Sequence, residues 1–234
     1  MKGQKLRGQA GFSLIELVIA MVIMLILMGL VATLLDRSLN IRARESRKTD
    51  ALTSAQAALN IMSREISNSG FGMYEGSVTS PVPSNGLIIA DSAQNRIRIR
   101  ANITNVGGGS AAVMQCPPAC TSEPGEDVAY FFDDNTDSIV RYDPHGIQTA
   151  PGVYAAQTSV VVNQISNIRF AYFDYQDDGT VTAAPGNAAP TSKTGRIQLT
   201  VEVQLEPVRG QPNETVRFTS EINLRNSNYM LRQY

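Results

Sequence analysis

The sequence predicts an α+β fold in which one long N-terminal helix packs on an antiparallel β-sheet. Three observations predict it. Residues 17–35 are apolar and uncharged, apolar residues return at helical spacing over residues 52–66, and turn residues then separate short β-branched and aromatic runs. The 234-residue chain holds 20 basic and 21 acidic side chains and has a mean hydropathy of -0.11. These averages hide an uneven distribution, because the apolar residues are concentrated near the N-terminus.

The apolar run at residues 17–35 is long enough to cross a membrane. Its 19 residues reach about 28 Å as a helix, close to the thickness of a bilayer's hydrocarbon core. Lys2, Lys5 and Arg7 precede it without an acidic residue, which predicts a cytoplasmic N-terminus and an exported C-terminal head. A secretory signal peptide has a shorter apolar region and a small-residue cleavage site. A plain signal anchor fits the length but leaves the preceding residues unexplained.

The helix is predicted to continue to Ser67. Its second apolar stripe has a spacing of 3, 4, 3 and 4 residues, which gives one buried face: Leu52, Ala55, Leu59, Met62 and Ile66. We expect residues 12–35 to project as the membrane half and residues 36–69 to pack on the head, with a stop at the NSGFG sequence of residues 68–72. The charged stretch 36–50 could contact lipid headgroups or an acidic neighbouring subunit. It could instead be a solvated face of the helix, which is the interpretation we favour.

The head, residues 70–234, is predicted to be rich in strands. Its last two candidates alternate apolar and polar residues, which indicates antiparallel strands with one buried face, joined by a loop at 207–214. The candidate strands are residues 87–90, 96–103, 128–133, 139–142, 159–162, 165–175, 196–206 and 215–224.

The string GFSLIEL at residues 11–17, between a basic leader and an apolar helix, resembles the N-terminus of type IV prepilins and pseudopilins. The resemblance implies a pilin-like fold and a prepilin peptidase that removes leader residues 1–11 by cutting between Gly11 and Phe12. The same enzyme would methylate the new amino group of Phe12. Glu16 would pair in the filament with the N-terminal amine of a neighbouring subunit, since a buried carboxylate needs a partner.

The head is similar, more loosely, to minor pilins of the PilW type and to J-type pseudopilins of type II secretion. This similarity implies a subunit of the bacterial inner membrane with a periplasmic head, which helps to initiate type IV pilus assembly. Its partners would be other minor and major pilins and the inner-membrane assembly platform. The alternatives are a J-type pseudopilin, a pilus-tip adhesin or DNA receptor, and an anchored periplasmic binding protein. Many major pilins carry a helix-loosening proline where this chain has Thr33.

The head shows no pattern typical of an enzyme, a cofactor site or a metal site. Cys116 and Cys120 are predicted to form a local disulfide, since the periplasm is oxidising and their spacing is wrong for a redox pair. The acidic segments 133–137 and 174–179 fail the calcium-loop template and are expected to be Asx-rich turns. His145 is expected to be a loop histidine, because no nucleophile or paired acid accompanies it in the sequence.

Arg96, Arg98 and Arg100 are predicted to share one face of a strand, as a phosphate-binding surface would require. Residues 71–234, however, carry 11 basic and 16 acidic side chains, a net charge of -5. An acidic head repels a nucleic-acid backbone, so we do not expect a nucleic-acid partner.

Overall fold

The computed structural model describes residues 13–77, 80–104, 123–176, 180–182, 186–205 and 214–227. The chain divides into two compact units, Met1–Arg47 and Lys48–Tyr234. A single helix, α1 (Leu14–Ser67), contributes residues to both. Antiparallel strands follow it in the second unit, so the predicted α+β architecture is confirmed.

In the first unit, α1 exposes every side chain from residue 14 to residue 43. The segment includes the uncharged run of residues 17–35, and no proline interrupts it. Thr33 donates a hydrogen bond from its hydroxyl to the carbonyl of Leu30, 2.8 Å away, within the helix. Leucine, methionine and alanine supply 11 of its 19 residues, and these residues have high helix propensity.

The second unit holds two main antiparallel sheets and a small hairpin. One sheet has the order β3-β4-β5-β6 and the other the order β7-β8-β9, while β1 pairs with β2. The strands are β1 (Tyr74–Ser77), β2 (Ser80–Pro83), β3 (Arg96–Arg100), β4 (Asp127–Asp133), β5 (Ser138–Ala150), β6 (Val153–Asn163), β7 (Asn167–Asp174), β8 (Thr194–Leu205) and β9 (Glu214–Asn223).

Both sheets bury one face against the same side of α1. The buried helix residues are Ala51, Ala55, Ala58, Leu59, Met62 and Ile66. Four of the five residues of the predicted stripe are therefore buried, while Leu52 is half-buried. The strand residues of this core include Ile97, Val128, Tyr130, Ile139, Phe170, Leu199, Val201 and Ile222. These helix and strand residues form one continuous hydrophobic core.

The two sheets meet where β7 lies beside the turn that precedes β3. The backbone N–H of Phe170 donates to the carbonyl of Gln94 at 2.7 Å, and the Tyr172 hydroxyl donates to the carbonyl of Ala93 at 2.9 Å. The sequence predicted one sheet in the head, and the structure divides it into two at this junction. β6 and β9 are the last strands of their sheets.

The predicted helix stop is confirmed, since α1 ends at Ser67 and Gly70 adopts a positive φ of 78°. Residues near the end of the described chain satisfy carbonyls that the helix end leaves without an internal partner. The side-chain amide of Asn226 donates to the carbonyls of Asn68 and Ser69 at 3.3 and 3.1 Å. The backbone N–H of Arg225 donates to the carbonyl of Ser67 at 3.2 Å.

The predicted strand at residues 87–90 is wrong. Only Leu87 makes a bridge, to Ile99, and Ile89–Asp91 forms a 3-10 turn. The Ser92 hydroxyl accepts a hydrogen bond from the backbone N–H of Arg98, so this segment folds back on β3 through a side chain as well as through its backbone. Such hydrogen bonds between a side chain and the nearby backbone compete with the regular hydrogen bonding of a β-sheet.

Several strands differ in extent from the prediction. β1 and β2 were not predicted, since they contain glycine, serine and proline, which are depleted in strands. β5 runs to Ala150 through Pro144, which lies at a register shift between Asp143 and Ile147, where a missing N–H is tolerated. The final hairpin is confirmed as β8 paired antiparallel with β9, and its predicted loop at 207–214 lies almost wholly outside the described residues.

Candidate functional site

The most distinctive surface of the described chain is the exposed apolar part of α1. Large apolar side chains are exposed throughout residues 14–35, and Leu14, Met24 and Met28 are the most exposed of them, at 82%, 72% and 71%. The helix is long and apolar enough to cross a membrane, and no part of its most apolar stretch of 18 residues is buried. A fully buried side chain of this type gains about 1.5–3 kcal/mol. An aqueous environment therefore disfavours this surface, and a lipid or protein environment suits it.

Glu16 lies in the first turn of α1, directly before the uncharged run. The backbone N–H groups of Glu16 and Leu17 donate to the carbonyl of Ser13 at 3.0 and 3.2 Å. A carboxylate at this end of a helix is favoured by the helix dipole. Gly11 and Phe12, the predicted cleavage and methylation residues, lie outside the described residues, so their assignment stays a prediction.

Residues 6–32 match the family model of the prokaryotic N-terminal methylation motif. The chain carries a type IV prepilin-like N-terminus. No curated protein matches the chain. The matched segment contains the GFSLIEL string and most of the exposed apolar run. The family that carries this motif is structural, and the motif implies pilin and pilus-assembly partners such as a prepilin peptidase. Together with the long apolar helix, the prepilin-like N-terminus fits anchoring in a membrane.

Beyond the prepilin-like segment, the charged stretch at residues 36–50 continues as helix. Asn40 reaches Asp36 one turn earlier, with its side-chain nitrogen 3.4 Å from a carboxylate oxygen. Most side chains of the stretch are exposed, although Arg44 and Lys48 are half-buried. A solvated helix face and a contact with lipid headgroups or an acidic neighbour both require this exposure, so the solvated face stays a prediction.

The three arginines of β3 share one strand face, as predicted, and acidic residues occupy that face with them. Arg98 donates to both carboxylate oxygens of Asp127 at 2.7 and 2.9 Å, and Arg100 donates to the same carboxylate at 2.8 Å. Arg98 also donates to Asp91. The hydrogen bond to Asp127 raises the pKa of Arg98 above its usual value, against the opposing effect of burial. These guanidiniums hold carboxylates of their own chain, which leaves little positive charge for a phosphate.

The acidic segment 133–137 is an Asx-rich turn, as predicted. The Asp133 carboxylate accepts hydrogen bonds from the backbone N–H of Asn135 at 3.1 Å and the Thr136 hydroxyl at 2.8 Å. The bond from Thr136 is the largest cause that lowers the pKa of Asp133. At the second predicted turn, the Asp174 carboxylate accepts bonds from Thr194 at 2.6 Å and Asn187 at 3.0 Å. Residues 177–179 of that turn lie outside the described residues.

His145 lies within β5 rather than in a loop, so its predicted placement is wrong. It sits at the register shift after Asp143, whose carboxylate accepts a bond from the His145 backbone N–H at 2.9 Å. The His145 ring meets the Tyr154 ring edge to face, with centroids 6.3 Å apart. Among the described residues, no group of three metal-ligating side chains surrounds it. Cys116 and Cys120 lie outside the described residues, so their disulfide stays a prediction.

A polar link between α1 and the first sheet was missed from the sequence. The Tyr130 hydroxyl donates to the Glu65 carboxylate at 2.6 Å, and Arg141 Nε donates to the same oxygen at 3.1 Å. Burial, followed by the negative charge of Glu65, raises the pKa of Tyr130. The one available signal was the position of Glu65 directly before Ile66, the last residue of the apolar stripe. The link joins the last turns of α1 to β4 and β5.

Proposed function

We propose that the chain is a minor pilin, a structural subunit that helps to initiate and assemble a type IV pilus. The observation that carries the proposal is the combination of a methylation motif at residues 6–32 with an apolar helix surface exposed over residues 14–35. A signal anchor explains the second feature alone. A filament subunit explains both, because the same helix must first lie in lipid and then pack against neighbouring helices.

The proposed maturation follows the order of the residues. The prepilin peptidase cuts between Gly11 and Phe12, releases leader residues 1–11 and methylates the new amine of Phe12. Gly11 suits the cut, since a residue without a side chain lets a protease approach the backbone closely. Residues 12–35 then hold the subunit in the inner membrane, residues 36–69 connect to the head, and residues 70–234 form the periplasmic head.

Glu16 is the proposed assembly residue. A carboxylate within an apolar helix bundle is stable only when a positive group pairs with it. The methylated amine of a neighbouring subunit's Phe12 supplies that charge. Entry into the filament then replaces lipid contacts of α1 with contacts to other apolar helices, so little apolar surface passes through water.

The test of maturation is mass spectrometry of the protein isolated from cells. We expect the wild-type chain to begin at methylated Phe12 and the Gly11→Ala variant to retain residues 1–11. An intact leader on the wild-type protein contradicts the proposal.

The role of Glu16 is tested by sheared filaments and membranes from the same cells. We expect Glu16→Ala to be cleaved and to remain in the membrane, while its amount in filaments falls at least fivefold. Asp36→Ala is the matched control, since it removes a carboxylate of the same helix outside the uncharged run. Equal incorporation of both variants into filaments would contradict the assembly role of Glu16.

The phenotype of a deletion separates the minor pilin from its alternatives. Loss of surface filaments supports the minor pilin. Exoproteins trapped in the periplasm indicate a J-type pseudopilin instead. Normal filaments with lost attachment or DNA uptake indicate a tip adhesin or receptor.

A further inference from the structure

The hairpin formed by β5 and β6 extends beyond the core of the second unit. In β6 only Val162 is buried, and all four residues from Ile147 to Ala150 at the end of β5 are exposed. The exposed apolar side chains include Val153 at 54% and Val160 at 57%. A two-stranded hairpin without a packed face is marginally stable in water. This end of the sheet therefore has less packing than β4 and β7, in which more than half of the residues are buried.

β6 is also an open sheet edge. Among the described residues, it pairs with β5 and with no other strand. The extra residues of the two distal register shifts lie on β5, so β6 runs without an inserted residue from Val153 to Val160. In an antiparallel sheet, about half the backbone groups of such a strand point away from its partner. They form a regular row to which another strand can bond.

From Val153 to Val160 the edge lacks the charges, prolines and bulges that usually prevent such pairing, since the extra residue of the third register shift, Val161, lies beyond this stretch. Residues 144–168 contain no Asp, Glu, Lys or Arg, although an 18% charged composition gives about four or five in 25 residues. Natural sheets protect exposed edges with charges, prolines or bulges. β9, the last strand of the other sheet, follows that rule, since Arg217 pairs with Glu202 and Glu221 pairs with Arg196 across the sheet.

The orientation of the helix decides against a symmetric pair of identical chains. Antiparallel pairing of β6 with β6 of a second copy places a two-fold axis perpendicular to the sheet. Residues 48–67 pack on the sheet and so lie parallel to its plane, and that axis would point these segments in opposite directions. In subunits anchored in one membrane, α1 runs from the membrane segment into the head in the same direction. A symmetric pair with opposed helices therefore does not fit such subunits. A second copy could instead present its β9 edge, but the charged Arg217 and Glu221 of that strand match an uncharged strand poorly.

We propose that β6 is the docking edge for an extended, uncharged segment of a different subunit of the filament, which adds to the sheet as a fifth strand. The inference rests on the proposed filament function. Backbone hydrogen bonds along β6 supply the affinity, and the exposed Val153 and Val160 select β-branched or small apolar side chains on the partner. The added strand also covers part of the hairpin that the core leaves exposed.

Hydrogen exchange of the full chain tests the edge directly. Peptides covering β6 are compared between protein extracted in detergent and protein in sheared filaments. We expect at least tenfold slower exchange in filaments at about half the β6 amides, the half that points away from β5, and little change in β9. Equal exchange in both states overturns the inference. Full protection already in the detergent-extracted protein also overturns it, because another part of the same chain would then cover the edge.

Variants that place charges on β6 provide a second test of the docking edge. Ala156→Lys/Thr158→Lys places two lysines on exposed positions of β6, and Thr215→Lys/Thr219→Lys places two on exposed positions of β9. We expect the β6 variant to be cleaved normally but to fall at least fivefold in filaments, and the β9 variant to stay within twofold of wild type. Equal incorporation of the two variants overturns the inference.

Cross-linking tests the identity of the occupant. Gln157→Cys is treated in cells with a short bis-maleimide, with the wild-type chain as the control for its own cysteines. A cross-link between two copies of this chain overturns the assignment to a different subunit. If no such cross-link forms while β6 is protected from exchange, the assignment is supported. Absence of the wild-type protein from filaments overturns the proposed function and this inference together. Its presence with unprotected β6 overturns the inference alone.

Discussion

At the residue scale, two glycines determine how α1 ends against the head. Gly70 and Gly86 both have positive φ, 78° and 69°, and their backbones pass in direct contact. The Gly70 N–H donates to the carbonyl of Arg100 at 2.8 Å, and the Ser69 hydroxyl donates to the carbonyl of Asn85 at 2.6 Å. No side chain fits between these segments, so the sequence requires glycine at both positions.

Gly86→Ala is therefore expected to destabilise the head strongly. A methyl group there overlaps the backbone nitrogen of Gly70 and the carbonyl oxygen of Arg100, in addition to the strain of positive φ. We expect a loss of about 3 kcal/mol or more in the free energy of unfolding, measured by thermal or urea unfolding. Gly152→Ala is the control, since Gly152 has a φ of 73° but open space around it. It should cost about 1 kcal/mol. Equal losses contradict the contact argument.

The Asp133 turn has a pH dependence that follows from its hydrogen bonds. A pKa lowered by folding means that the turn stabilises the protein at neutral pH and loses this contribution as pH falls through the folded pKa. Thr136→Val removes the largest cause of the shift, so the pKa of Asp133 should rise toward the ordinary value of an aspartate. NMR titration of the carboxylate measures this change. An unchanged pKa in the variant would show that the backbone N–H of Asn135 is sufficient.

At the element scale, the helix and the regular strands were predictable because their periodicity is long. The stripe ending at Met62 and Ile66 repeats over about four turns, and the sequence of β8 alternates polar and apolar residues from Arg196 to Leu205. The 3-10 turn at Ile89–Asp91 was not predictable, because a short apolar run fits a strand equally well until the Ser92 bond is known. The length of β5 was hidden by Pro144, which ends most strands but is accommodated here by a register shift.

The link between α1 and the first sheet, where Glu65 pairs with Arg141, also connects two elements. The pair is only partly exposed, at 36% and 20%, and Tyr130 holds the same carboxylate oxygen. A double-mutant cycle with Glu65→Gln and Arg141→Met should give a coupling energy of about 1–2 kcal/mol. The control cycle, Glu221→Gln with Arg196→Met, addresses a longer and more exposed pair at 3.5 Å, and should give about 0.5 kcal/mol or less. A coupling as small in the first cycle as in the second would mean that the link does not fix the helix.

At the scale of the whole molecule, the sequence divides into a segment that needs an apolar environment and a head with its own core. The candidate site was predictable because it is continuous in sequence: GFSLIEL and the apolar run lie within 25 residues, 11–35. The open edge at β6 was not predicted, because an edge exists only once the strand order is known. Its missing charges are visible in the sequence, but their meaning depends on that order.

The division predicts which part of α1 the head needs in order to fold. The buried helix residues begin at Ala51, so a fragment of residues 36–234 keeps the entire core of the second unit. We expect this fragment to be soluble without detergent and to unfold cooperatively, with a Tm within a few degrees of that of the full chain in detergent. A fragment of residues 60–234 lacks Ala51, Ala55, Ala58 and Leu59, and these losses expose both sheets. It should unfold at least 10 °C lower or fail to fold, since large losses of core contacts cost several kcal/mol. Equal stability of the two fragments would mean that the sheets do not depend on the helix. Aggregation of the 36–234 fragment would mean that the head itself also needs an apolar environment.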